Sequence, residues 1–192
     1  APLCLLPPAG FARSPARFLD LVAERRGTIS ASPTTGVALL RRALEREASF
    51  DLSSLRAVVC GAEMIDVGLC ERAVEAGRRH GLRPDVFAFG YGLAEATLAV
   101  SLRRPGLPTS AEEPVTDAAQ AGEVHWVRPL SGRGIARTGT PVQGTEVRIT
   151  DPRTGDVQRA GTVGEIEVRV DGRVVDIGHN LLSTRVRQQH GL

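Results

Sequence analysis

The chain has 192 residues, enough for one domain with a core of its own and a small appended lobe, and its 42% hydrophobic and 24% charged content is that of an ordinary globular protein. A formal charge of +2, with arginine pairs spread along the chain, argues against the dense basic face that nucleic-acid binding needs, and no apolar run approaches the roughly 20 residues of a membrane span. Cys4, Cys60 and Cys70 are odd in number and lack metal-ligand spacing, which argues against disulfides or a cysteine zinc site and gives a cytoplasmic expectation.

Residues 1–13, rich in Pro and Gly, read as irregular. Ser14-Pro15 then opens a helix, a hydroxyl cap followed by proline at the first helical position; Phe18, Leu19 and Val22 give it an apolar stripe and Gly27 a stop. A short strand over Thr28 to Ala31 leads into a helix from Pro33 to about Glu47. Leu55 to Cys60 reads as a buried strand ending at Gly61. Asp66 caps a third helix reaching about His80, and Gly81 ends it. Asp85 to Phe89 is the next strand.

This alternation predicts an α/β fold, a parallel sheet with crossover helices, in which ligands sit beyond the carboxyl ends of the strands. Gly61-Ala62-Glu63 and Gly90-Tyr91-Gly92 both fall at such ends. Residues 101–121 read as a long polar loop. The character then turns to β: Glu123 to Val127, Glu146 to Ile149 and Val163 to Val168 read as strands, Asp151 to Gly155 as a turn, and Asp171-Gly172 as a tight hairpin turn. The expected organisation is an α/β subdomain over 1–121, part of a β-rich subdomain over 122–180, and a frayed tail over 181–192. The four histidines are scattered and read as structural or surface groups, and Cys60 as a packed thiol.

The most informative stretch is Phe89-Gly90-Tyr91-Gly92-Leu93-Ala94-Glu95-Ala96-Thr97-Leu98. It puts an aromatic ring, two permissive glycines, a carboxylate and a hydroxyl within a few residues. Such a turn can bring backbone close to a nucleotide, stack a ring on a base and offer an oxygen to Mg²⁺. As a bare motif it is also compatible with a structural turn.

The string resembles the adenylate-binding signature of acyl-activating ligases, in the wording of the fatty-acyl-AMP ligases. Its neighbours agree in order and spacing: Asp51-Leu52-Ser53-Ser54-Leu55-Arg56 with Gly61-Ala62-Glu63 upstream, and Gly139-Thr140-Pro141-Val142-Gln143-Gly144 with Val163-Gly164-Glu165-Ile166 downstream. The resemblance implies a fold, the second subdomain of the ligase's N-terminal domain with the start of its β-subdomain. It also implies a reaction, fatty acid plus ATP giving acyl-AMP and pyrophosphate, with the acyl group passed to the phosphopantetheine thiol of an acyl carrier protein.

Residue by residue, the resemblance puts Gly61, Ala62 and Glu63 beside the adenine and Tyr91 on its face. Gly92, Leu93 and Ala94 then belong to the nucleotide turn, Glu95 is the Mg²⁺ contact, and Thr97 or its backbone meets a phosphate. Ala94 and the long segment from Ser101 to Arg137 favour the acyl-AMP branch; transfer to coenzyme A is the alternative.

There are departures. The family's phosphate loop, its ribose-binding Thr-Gly-Asp and its hinge have no counterpart, and Thr34-Thr35-Gly36 stand where an acyl-pocket aromatic is expected. All 24 basic residues are arginine, so the family's catalytic lysine is missing. With no initiator methionine, this implies an internal piece of a ligase whose N- and C-terminal parts are missing, inactive alone. A non-catalytic remnant or nucleotide-binding module stays open beside it.

Overall fold

The structure, a computed structural model, describes residues 2–46, 49–107, 111–114, 126–127, 134–159, 162 and 164–177. It divides into two compact units, Ala1–Ala88 with Pro105–Thr109, and Phe89–Arg104 with Ser110–Leu192.

The first unit runs α1 (Pro8–Arg13), α2 (Pro15–Arg25), β1 (Ile29–Ser32), α3 (Thr34–Arg46), β2 (Ala57–Cys60), α4 (Val67–Gly77) and a 3-10 turn (Arg78–His80), and reaches the start of β3 (Phe87–Tyr91). β1 and β2 pair in parallel, Ile29 opposite Ala57 through Ser32 opposite Cys60. The Val58 N–H donates to the Val86 carbonyl at 2.8 Å, which ties β2 to the approach of β3. Helix α3 packs against both α2 and α4. Leu19 and Val22 of α2, Val37 and Leu44 of α3, and Cys70, Ala73 and Val74 of α4 are buried, as are Val58 and Val86. Each fully buried aliphatic side chain contributes about 1.5–3 kcal/mol.

Asp66 caps α4 as its position predicts, its Oδ1 accepting from the Leu69 N–H at 2.8 Å. Three expectations are corrected. Residues 8–13 form a short helix, because Pro8 at the first helical position needs no N–H partner. Ser14 makes no side-chain capping bond to α2. And α2 ends on Arg26 in the left-handed region (φ 50°), its N–H reaching the Ala23 and Val22 carbonyls, rather than on Gly27.

In the second unit the end of β3 pairs antiparallel with β4 (Ser101–Leu102), which pairs antiparallel with β8 (Thr140–Pro141). β9 (Thr145–Thr150), β10 (Glu165–Val170) and β11 (Arg173–Ile177) make a sheet in the order β11-β10-β9. β5 (Ala111–Pro114), β6 (Trp126–Val127) and β7 (Ile135–Ala136) make another in the order β6-β5-β7. The Asp171-Gly172 turn joins β10 to β11 as predicted, with φ of 48° and 76°.

The α/β class is thus observed, but the sheet pairing is mixed, parallel at β1–β2 and antiparallel at β3–β4–β8. The span read as loop contains strands β4 and β5. The two residues of β4 carry no periodicity to read, and only its partner strands define it. Of the strand expected over 123–127, Trp126 and Val127 are described. His125, His179, His190 and the tail over 181–192 lie outside the described residues.

Candidate nucleotide-site segments

The first segment, Gly61–Met64, leaves the buried end of β2. Cys60 is fully buried beside Cys70; the Cys70 thiol is pushed up by its hydrogen bond to Cys60 and by burial, so it stays protonated. The chain then turns through Ala62 at φ 67°, in the left-handed region where an L-residue pays about 1 kcal/mol or more. Ala62, Glu63 and Met64 are exposed, and the next inward side chain is Ile65. The Thr35 N–H donates to Glu63 Oε1 at 2.6 Å, and the Thr34 hydroxyl donates to the Met64 carbonyl at 3.1 Å.

The second segment, Tyr91–Val100, closes the turn between β3 and β4. The Val100 N–H donates to the Tyr91 carbonyl at 2.9 Å. Inside, Ala94–Ala96 form a 3-10 turn, with N–H bonds from Ala96 to the Leu93 carbonyl (3.2 Å) and from Thr97 to the Ala94 carbonyl (3.0 Å). Thr97 has φ 68° and ψ −53°, and the Leu98 N–H reaches back to the Ala96 carbonyl at 2.8 Å. That is a γ-turn of the rare positive-φ kind, on a β-branched residue for which such a backbone is an outlier.

The inward and outward sides of this turn are cleanly divided. Ala96 and Val100 are buried with Val147, Ile166 and Val168, and Tyr91, Leu93 and Val175 pack on that cluster. Gly92, Ala94, Glu95 and Thr97 are exposed. Of the residues singled out by sequence, the Tyr91 side chain is therefore half-buried against the core, while the Glu95 carboxylate and the Thr97 hydroxyl are both presented to solvent.

The arrangement can offer a hard-oxygen ligand and a hydroxyl from a rigid turn. Among the described residues there is no group of three or more His, Cys, Asp or Glu side chains that could hold a metal by themselves. One exposed carboxylate fits an ion such as Mg²⁺, which keeps several waters and takes one or two carboxylates plus substrate phosphates. Among the described residues no helix is long and apolar enough to cross a membrane.

Sequence reasoning missed Thr34 and Thr35 as partners of the first segment and Val175 as support for the second. Their partners lie far away in sequence, and neither contact imposes a periodicity.

Comparison with known proteins first defines the class. The fold is similar to that of a fatty acid AMP ligase from Legionella pneumophila, with a TM-score of 0.78 and 29% identity over 90% of this chain and 31% of that one. A fatty acyl-adenylate ligase from the same organism, solved with acyl adenylate and pyrophosphate, gives 0.75 and 28%, covering 90% of this chain and 31% of that one. Among curated relatives, the long-chain-fatty-acid–AMP ligase FadD26 of Mycobacterium marinum is 34% identical over 169 residues, covering 84% of this chain and 28% of the relative. The 4-hydroxyphenylalkanoate adenylyltransferase of Mycobacterium tuberculosis is 34% identical over 170 residues, covering 87% of this chain and 27% of the relative. The chain belongs to the AMP-binding enzyme family, which matches residues 1–174. It spans about 30% of the length of these relatives (27% and 28%) and solved structures (31% each).

Proposed function

We propose that the chain is part of an acyl-adenylate-forming ligase that joins a fatty acid to AMP from ATP, releases pyrophosphate, and delivers the acyl group to the phosphopantetheine thiol of a carrier protein. The observation that carries this reading is the division of the second segment. Tyr91, Leu93 and Ala96 are fixed on the core, so Glu95 and Thr97 stand exposed in one defined geometry.

In this reading the Tyr91 ring offers a face to adenine, Gly61, Ala62 and Glu63 border the base, and Gly92, Leu93 and Ala94 give close backbone approach. Thr97 donates to a phosphate oxygen, and Glu95 holds Mg²⁺. When bound, the ion neutralises phosphate charge; the chain's own part is to orient the nucleotide. We assign residues 1–121 to the nucleotide- and acyl-site subdomain, residues 122–180 to the β-rich one, and the protein to the cytoplasm. The chain has no lysine. By itself it is expected to bind adenylate weakly and turn nothing over.

Tyr91 is the only tyrosine, so 3-fluorotyrosine labelling gives one ¹⁹F resonance at the site. Titration with AMP and with Mg-ATP should move it, and Glu95→Gln should remove the Mg²⁺ dependence of the ATP response. A resonance indifferent to millimolar AMP would sink the adenylate reading. Pyrophosphate release from dodecanoate and Mg-ATP above a protein-free control would overturn the expected inactivity. In the full-length ligase, acyl-coenzyme A formation in place of acyl transfer to a carrier protein would overturn the acceptor.

A further inference from the structure

The Gly61–Met64 loop has a conformational cost and nothing apolar to meet it. Ala62 sits at φ 67°, Met64 is 92% exposed, and no side chain from Ala62 to Met64 is buried. Packing therefore cannot hold this shape; the polar tethers to α3 must. The Thr35 amide lies in the first turn of a 13-residue helix, where N–H groups have no intrahelical acceptor and the helix dipole favours a negative charge. Glu63 Oε1 accepts from that amide at 2.6 Å, and Thr34 next to it donates to the Met64 carbonyl at 3.1 Å. The Thr34 hydroxyl also lies 4.0 Å from the Cys60 sulfur at the end of β2. The loop is thus fastened on both sides of Glu63 to the same helix turn.

We propose that Glu63 is a positioning residue. Its carboxylate is committed to the N-terminus of α3 and holds the strained Ala62 turn in place, so a nucleotide meets this loop through the backbone of Gly61 and Ala62 and not through the Glu63 side chain. The second half of that statement rests on the adenylate reading above; the first half does not. Thr34 and Thr35, which with Gly36 stand where the resemblance expects an aromatic residue, are the residues at which the loop is fastened.

The test compares the wild-type chain with Glu63→Gln and Glu63→Ala. Glutamine keeps an acceptor oxygen, and alanine removes it. Without nucleotide, exchange of the Thr35 amide should speed up about fivefold in Glu63→Ala and stay within about twofold of wild type in Glu63→Gln, as expected for one charge-assisted bond at an exposed site. Unchanged exchange in Glu63→Ala would overturn the latch. With AMP, followed at fluorotyrosine 91, Glu63→Ala should weaken the apparent affinity several-fold and Glu63→Gln should restore it. Equal loss in both variants, with the Thr35 amide still protected in Glu63→Gln, would mean that the carboxylate itself touches the ligand and would overturn the positioning role. A wild-type chain without any AMP response refutes the adenylate reading, and the exchange comparison still decides the latch on its own.

Discussion

The carbonyl oxygen of Leu98 occupies the space in which a side chain at Gly92 would begin. The two residues lie on opposite sides of the turn that presents Glu95, and their contact brings the turn back on itself before the Val100–Tyr91 hydrogen bond closes it. A Cβ at position 92 would collide with backbone, which cannot swing aside as a flexible side chain can. Gly92→Ala is therefore expected to destabilise the second unit by about 3 kcal/mol. The urea midpoint should fall with little change in slope, and a wild-type midpoint would show that the turn closes another way.

Thr97 pays for its γ-turn, and the cost of such a backbone is on the order of 1–3 kcal/mol. Glycine adopts this conformation freely but also gains entropy when unfolded, so Thr97→Gly should raise stability by a net amount of about 1 kcal/mol or less. The thermal midpoint should rise by a few degrees while the Mg-ATP response at fluorotyrosine 91 weakens. Thr97→Val keeps the strain and removes the hydroxyl, so it should lose the response without gaining stability.

His80 is 2% exposed and holds two parts of the first unit together. Its Nδ1 accepts from the Phe50 N–H at 3.1 Å, which leaves the ring proton on Nε2, directed at the Leu44 carbonyl 2.9 Å away near the end of α3. Beside it, the Arg79 guanidinium donates to the Leu44 and Glu45 carbonyls at 2.6 and 3.1 Å. His80→Ala removes the ring from a packed place against Phe50 and both hydrogen bonds at once, at an expected cost of about 2–4 kcal/mol measured by urea unfolding.

Acid should act through three carboxylates held below their ordinary range. Asp51 is lowered by the Ser53 hydroxyl at 2.6 Å, Asp85 by Arg83, and Asp151 by the Arg153 backbone N–H at 2.7 Å. A folded value below the unfolded one adds stability above the unfolded value, about pH 4, and that stability is lost as pH falls through the folded value. The urea midpoint should accordingly drop below about pH 4. Ser53→Ala removes the hydroxyl bond to Asp51 and leaves the backbone N–H bond, so it should make the drop shallower; a steeper one would refute the assignment.

The elements that could be read from the sequence are those whose signal is local. The Phe18, Leu19 and Val22 stripe, the Asp66 cap, the buried run ending at Cys60 and the Asp171-Gly172 turn each state their conformation within a few residues. The stretch from Phe89 to Leu98 likewise held enough to point to the family. Where α2 stops was less legible, because Arg26 takes the left-handed place that Gly27 suggests.

What tertiary structure alone decided is where these local pieces meet. Nothing near Glu63 announces an amide 28 positions earlier in the chain, because a backbone N–H is the same group at every residue and only the start of α3 leaves it unpaired. The antiparallel pairing of β4 with β3 and with β8 has the same origin, since β4 and β8 are two residues long and are defined by their partners and not by their own side chains. The sequence by itself determined which groups the site segments contain. The packing of Tyr91, Leu93 and Ala96 on the β-sheet core determined that Glu95 and Thr97 face outward, since apolar burial fixes one side of a short turn and leaves the other to solvent.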